Sequence, residues 1–284
     1  MLAAGAFLVA LFAVLLTGNP WPDRFLITLR FDPVFLRIGG LDLGWHGVFT
    51  ALAVGVAVWV GLARARAMGI TGPRVGNVVT WAVVGGIVGA RLFYVVDHLS
   101  HFAAHPADVF LAWQGGIAVY GAFIGGIAAG LLAARGSGLP VWRGLDAAAP
   151  AMLIGQMIGR LGCFSNGDAW GKATGGQWGV VYQNSHALIP DRLLGVPTHP
   201  YPLYEIAAAA ILLGLLLWGR RYLAAPGDVF LVAGVGYAVI RFGLSFFRQE
   251  SAILLGLQEA QLVALATGAI SLFLFVARRL RDSP

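Results

Sequence analysis

The sequence is short of charge and almost without cysteine. Charged residues fill 11% of its 284 positions, against about a quarter in soluble domains. So few polar side chains cannot clothe a water-facing surface, which excludes an ordinary soluble domain. The single cysteine, Cys163, excludes an internal disulfide and a cysteine-cluster metal site. No nucleic-acid motif accompanies the net charge of +6, and no nucleic-acid partner is expected. The basic residues gather instead between apolar runs.

What fills the chain is hydrocarbon and glycine. It is 58% hydrophobic, its mean hydropathy is +0.79, and apolar runs of about 20 residues recur, enough to cross a bilayer. The composition predicts an all-α polytopic membrane protein. Seven transmembrane helices are expected at Trp45–Leu62, Val75–Val96, Gly116–Ala134, Leu145–Gly162, Leu203–Trp218, Val229–Phe247 and Leu254–Ala277. Leu2–Thr17 offers an extra N-terminal span, since it has neither the basic start nor the Ala-x-Ala site of a cleaved signal peptide. The expected organisation is an apolar segment at 1–18, an extracytoplasmic arm at 19–44, and four core helices within 45–162. An extracytoplasmic head follows at 163–202, then three helices and a basic C-terminus at 203–284. Gly85/Gly89, Gly121/Gly125, Gly126/Gly130 and Gly155/Gly159 carry the small-xxx-small spacing of close helix packing.

Arginine sets the expected orientation. Arg64, Arg66, Arg74, Arg135, Arg143, Arg220, Arg221, Arg278, Arg279 and Arg281 occupy alternate loops, which the positive-inside rule puts in the cytoplasm with the C-terminus. The intervening loops are poor in Lys and Arg. Arg91, Arg160 and Arg241 are different, because each falls within a span, in its outward half. One such arginine reads most simply as snorkelling to headgroups. Three at one depth, beside a polar loop, point to a shared anionic ligand, for which the guanidinium fork suits a phosphate.

The organising stretch is Gly155–Gly171, an apolar helix that carries Arg160 and then breaks into a polar loop. Within it, Gly159-Arg160-x-Gly162-x-Phe164-x-Asn166-Gly167-x-x-Trp170-Gly171 resembles the signature of the prolipoprotein diacylglyceryl transferases, Gly-Arg-x-Gly-Asn-Phe-x-Asn-x-Glu-x-x-Gly. Phe31-Asp32-Pro33-Val34, Trp45-His46-Gly47 and Gly89-Ala90-Arg91-Leu92 resemble further blocks of that family. So do Gly115-Gly116 with Tyr120-Gly121, His199-Pro200-x-Pro202-Leu203-Tyr204-Glu205, and Pro226-Gly227 with Tyr237 through Arg248. The blocks follow the family's order from about Phe31 to the C-terminus. The sequence departs from the pattern at Cys163 for asparagine, Asp168 for glutamate, His46 for tyrosine and Ser245 for glutamate.

The resemblance implies an enzyme of the bacterial cytoplasmic (inner) membrane with its active site toward the extracytoplasmic leaflet. It would move a diacylglyceryl group from phosphatidylglycerol to the lipobox cysteine thiol of a preprolipoprotein, forming a thioether and releasing glycerol 1-phosphate. Such a displacement needs no metal and no organic cofactor. Two tasks remain: stabilising charge on the leaving phosphate and deprotonating the thiol. Arg160 and Arg241 are the candidates for the first. Tyr120, Glu205 and His46 are candidates for the second, and Glu205 serves equally as a salt-bridge partner orienting an arginine. Arg91 reads either as a direct helper or as a structural charge paired to Glu205 or Asp97. Asn166, Asp168, Gly171, Tyr204 and Arg248 are expected to contact peptide, glycerol or headgroup, with turn or interface roles as their plainer readings. Cys163 shares a helix face with Arg160 if the helix continues; it reads as a reactive thiolate or, more simply, as a small residue in place of an amide. His98, His101 and His105 read as a wet loop in preference to a metal site.

Two other classes compete. A relative that binds anionic lipid or lipoprotein without turnover is kept open by Cys163 and Ser245. A transporter is disfavoured, since no internal repeat is visible and the intramembrane arginines gather toward one face.

Overall fold

The computed structural model describes residues 25–281 apart from 40, 112–115, 117 and 177. The expected N-terminal span Leu2–Thr17 lies outside the described residues. Strands β1 (Phe25–Leu29), β2 (Val34–Ile38) and β3 (Leu41–Gly44) precede helices α1 (Trp45–Ala67), α2 (Pro73–Asp97), the short α3 (Leu99–Ala104), α4 (Val119–Gly136) and α5 (Val141–Asn166). Strand β4 (Trp178–Tyr182) comes before α6 (Tyr201–Gly219) and α7 (Asp228–Leu244). The hairpin of β5 (Ala252–Leu254) and β6 (Leu257–Gln258) then leads into α8 (Glu259–Arg281).

Among the described residues, six helices are long and apolar enough to cross a membrane: Trp45–Ala67, Pro73–Asp97, Val141–Asn166, Tyr201–Tyr222, Asp228–Phe247 and Glu259–Arg281. Gly121–Gly136 is a shorter apolar helix in the region of the expected third span. The fold is therefore that of a polytopic helical membrane protein. Its lipid-type surface includes Trp59, Ile87, Leu132, Ile211, Val239 and Phe273, all exposed. Half of the apolar window of α5 is buried, against 6% for α2, so α5 is the helix that the protein packs around most closely.

Two boundaries differ from expectation for local reasons. Helix α5 continues past Gly162 to Asn166, where Gly167 at φ +75° donates its N–H to the Cys163 carbonyl and ends the helix. Cys163 thus belongs to the last helical turn and not to the head. The last helix starts at Glu259, because Leu254 is taken into a hairpin whose two-residue turn, Leu255–Gly256, has positive φ at both positions.

The chain forms two compact units, one of Met1–Gly55, Leu153–Tyr222 and Leu231–Pro284, the other of Val56–Met152 and Leu223–Phe230. In the second, α2 and α4 pack through glycine. A Cβ added to Gly89 would strike the Gly121 carbonyl and come within 2.9 Å of Gly125 Cα; one added to Gly125 would strike the Gly85 carbonyl. Two of the expected small-xxx-small pairs, Gly85/Gly89 and Gly121/Gly125, are this contact. In the same unit Asp146, buried on α5, accepts hydrogen bonds from the N–H groups of Gly227 (2.6 Å) and Phe230 (2.9 Å) and so caps α7.

The first unit contains a small head. Within the expected arm, β1 pairs in parallel with β4, Phe25 opposite Trp178 through Leu29 opposite Tyr182. Leu29, Val180, Tyr182, Ile189 and Leu193 form a core with Phe164 of α5. Tyr182 donates its hydroxyl to the Phe164 carbonyl (2.9 Å), and burial raises that phenol's pKa above its ordinary value. The head is thereby fastened to the end of α5, next to the residues that carry the site.

Candidate active site

Helix α5 presents Arg160 one turn before its end, and α6 presents Glu205 in its second turn. Glu205 has a side chain only 1% exposed. A lone carboxylate at such a place is costly, so it requires cationic partners. It has two. Arg160 forks onto it, with Nε facing Oε2 and Nη2 donating to Oε1 at 3.2 Å. Arg241 of α7 donates from Nη1 to the same Oε1 at 2.9 Å. Tyr201, one turn before Glu205 and completely buried, donates to Glu205 Oε1 (3.3 Å) and accepts from Arg241 Nη1 (2.5 Å).

Two guanidinium groups on one carboxylate leave an excess positive charge in a mostly buried place, the arginine side chains being 19% and 14% exposed. Among the described residues Nε and Nη2 of Arg241 make no hydrogen bond. The cluster therefore offers both charge and donors to an anion, in surroundings that screen charge less than water does.

The departures from the family pattern find partners here. Ser245, fully buried, gives its hydroxyl to the Arg241 carbonyl at 2.7 Å and adds no carboxylate, so Glu205 supplies the anion for both arginines. Arg160 Nη1 reaches Cys163 Sγ at 3.5 Å, as the continued helix requires. Gly162 lets the start of α1 come close, since a Cβ there would meet His46 Cα at 3.1 Å and Phe49 Cβ at 3.1 Å. That approach brings His46 Nδ1 to 3.2 Å from Asp168 Oδ2, next to Cys163. Asn166 Nδ2 donates to the same carboxylate oxygen at 3.3 Å. Burial pushes the Asp168 carboxyl up more than any other single influence, but His46, Asn166 and Cys163 together hold it below the ordinary carboxylate range.

The remaining expected residues fall elsewhere. Tyr204 bonds His199 Nδ1 through its hydroxyl (3.1 Å), in an aromatic group with Phe247. Gly171 fits where a Cβ would meet His199 Cβ at 2.6 Å and the Phe247 carbonyl at 3.0 Å, and its backbone bridges to Arg248. Arg248 pairs with Glu250 (2.9 Å) and lies 5.5 Å from the Tyr201 ring centre. Arg91, in the other unit, donates to the Val109 carbonyl (2.9 Å), the Gly116 carbonyl (2.7 Å) and the Asp108 carbonyl, and lies over the Tyr94 and Phe102 rings. The side chain of Tyr120 is outside the described set. His101, His105 and Asp108 do come within 4.8 Å of one another, because α3 spaces the histidines one turn apart and the following turn returns Asp108; the two histidines are exposed.

Two residues of this cluster do not stand out in the sequence: Tyr201, and Gln156, which donates to the Tyr237 hydroxyl at 2.6 Å. The signal for Tyr201 was present: it precedes Glu205 by four residues, on the same helix face.

A family model described as prolipoprotein diacylglyceryl transferase matches residues 33–277. Among curated relatives, the phosphatidylglycerol–prolipoprotein diacylglyceryl transferase of Geobacillus kaustophilus is 34% identical over 255 residues, 87% of this chain and 93% of the relative. The proteins of that name from Methylibium petroleiphilum and Oleidesulfovibrio alaskensis are 35% identical over 269 residues and 37% over 227. They cover 89% and 77% of this chain, and 99% and 80% of the relatives. With the arginine motifs in place across the matched region, the chain belongs to the prolipoprotein diacylglyceryl transferase family.

Proposed function

We propose that the protein transfers the diacylglyceryl group of phosphatidylglycerol to the lipobox cysteine thiol of a preprolipoprotein signal peptide. The observation that carries this reading, beyond family membership, is the pair of guanidinium groups converging on the buried Glu205. In the reaction the thiolate sulfur bonds to the glyceryl carbon as that carbon's bond to the phosphate oxygen breaks. The electron pair leaves on the phosphate, and glycerol 1-phosphate departs. Arg160 and Arg241 stabilise that growing charge. Glu205 already accepts from two cations and a phenol, and so acts as the positioning residue for both arginines. Tyr120 and His46 remain the groups assigned to the thiol, whose ordinary pKa of about 8.5 needs only a modest push. Asn166, Asp168, Gly171, Tyr204, Arg248 and Cys163 shape the surrounding site, and Arg91 braces its own unit.

The site belongs on the extracytoplasmic side of a bacterial inner membrane, with seven spans and a cytoplasmic C-terminus. With Arg143 cytoplasmic by the positive-inside rule, Arg160, 17 residues on and about 26 Å along α5, reaches the opposite side of the hydrocarbon. The intact arginines favour turnover over a binding-only relative.

Purified protein, phosphatidylglycerol and a synthetic lipobox peptide test the proposal, with the thioether product followed by mass spectrometry. Product from the wild type that is lost in a folded Arg160→Ala variant is expected. No product from folded wild type across several lipids would overturn the reading.

A further inference from the structure

His46, Cys163 and Asp168 sit on three different segments: the start of α1, the last turn of α5 and the loop after it. One nitrogen, one sulfur and one carboxylate oxygen from them lie within 4.8 Å of one another. Their arrangement is not that of a closed hydrogen-bond network. His46 Nδ1 is buried and 3.2 Å from Asp168 Oδ2, yet makes no properly angled hydrogen bond, and Asp168 Oδ1 is buried with no hydrogen-bond partner among the described residues. Buried polar atoms of this kind call for a ligand.

We propose that His46, Cys163 and Asp168 form a three-ligand Zn2+ site whose open fourth position takes a thiolate. The donor set of imidazole, thiolate and carboxylate is the one this borderline-soft ion prefers. Two tetrahedral ligand atoms at zinc distances of about 2.0–2.2 Å lie roughly 3.3 Å apart, close to the nitrogen–oxygen separation found here. Thiolate and carboxylate balance the two charges of the ion, and Arg160 Nη1 lies 3.5 Å from Cys163 Sγ. Asn166 Nδ2 donates to the same Asp168 oxygen at 3.3 Å, a supporting contact of the kind that metal ligands have. The side chains of His46 and Asp168 are 39% and 29% exposed, which leaves a path for an ion and for a fourth ligand. Three protein ligands with one open position is the arrangement of reactive zinc, whereas structural zinc is closed by four.

The class of fourth ligand follows from the chemistry of the ion. A thiol bound to zinc is held deprotonated. An incoming thiol replaces a zinc-bound hydroxide, which leaves with the thiol proton as water. Naming that thiol as the lipobox cysteine rests on the transferase reading above; the metal site does not.

Cobalt substitution tests the two separately. The detergent-purified protein is stripped with a chelator and titrated with Co2+. Since Cys163 is the chain's single cysteine, a sulfur-to-cobalt absorption band reports this site alone, and binding at His101 and His105 gives none. We expect the band to saturate at one equivalent, to vanish on adding Zn2+, and to be absent in Cys163→Ser. In His46→Ala and Asp168→Ala, checked for folding by size-exclusion profile, affinity should fall by at least the roughly 10–100-fold that follows loss of a supporting contact. A lipobox peptide should intensify the band by adding a second sulfur, and the same peptide with serine for cysteine should leave it unchanged. A wild type that binds no Co2+, or binds it without the sulfur band, overturns the site. A band unaffected by the cysteine peptide overturns the open thiol position. A normal band with no thioether product from any lipid sinks the transferase reading and leaves the metal site standing.

Discussion

Arg91 and the pair Arg160 and Arg241 are alike in sequence, each a lone cation inside an apolar helix, and unlike in structure. Arg91 donates to three backbone carbonyls, one of them from Gly116, whose φ of +76° turns its oxygen toward the guanidinium. Arg160 and Arg241 share one buried carboxylate. Through its carbonyl partners Arg91 ties together the backbone at Asp108, Val109 and Gly116. A shared carboxylate fixes two guanidiniums against each other and leaves net positive charge beside them. Arginine within a span thus takes two kinds of partner, backbone carbonyls at Arg91 and a shared carboxylate at Arg160 and Arg241.

Substitutions can break that comparison. The largest expected effect is that of Glu205→Gln, which leaves two guanidiniums without their anion. It should cost about 3–5 kcal/mol of stability, read as a lowered unfolding midpoint in detergent, and a near-wild-type midpoint would contradict the shared-carboxylate account. Next comes Arg241→Ala, expected to cut turnover by about 10²–10³-fold, as loss of one charge-stabilising donor does, with a normal elution profile. Arg91→Gln should behave differently: amide exchange should quicken in residues 105–111 while turnover drops less than for Arg241→Ala. Equal losses of turnover would erase the distinction between the two kinds of arginine.

The smallest effect concerns the head. Asp32 accepts from the Val34 N–H (2.9 Å), Arg37 (3.0 Å) and His186 (3.0 Å), and the Val34 N–H first, then His186 and Arg37, hold its carboxyl below the ordinary range. A lowered folded-state value means its contribution is complete above the unfolded value of about 3.9 and fades as pH falls through the lower folded one. Limited proteolysis near residues 31–44 should therefore increase only on acidification below that range, and Asp32→Asn should raise it already at neutral pH.

Much of this was legible in the sequence, because spans and their charges are local signals. Apolar runs announced the helices, and the charges within them singled out Arg160, Arg241 and Glu205, which the fold brings into contact. The glycine spacing of α2 and α4 foretold their contact. What stayed hidden depended on contacts between distant segments. Strand β1 finds β4 across some 150 residues, and no short pattern states that pairing. His46 meets Cys163 and Asp168 only because Gly162 admits α1, so three separate departures from a signature gave no hint of being one cluster. Tyr201 was passed over because an aromatic at a membrane interface needs no explanation until its hydroxyl is seen on Glu205.

The central claim is that Arg160 and Arg241, held by Glu205, receive the headgroup phosphate. The direct measurement is calorimetric binding of glycerol 1-phosphate to the detergent-purified protein, comparing wild type with Arg241→Gln at two salt concentrations. The account predicts binding to the wild type that weakens at high salt and falls at least about tenfold in the variant, the loss of roughly 1.4 kcal/mol for one charged contact. Equal affinity in both proteins would contradict it.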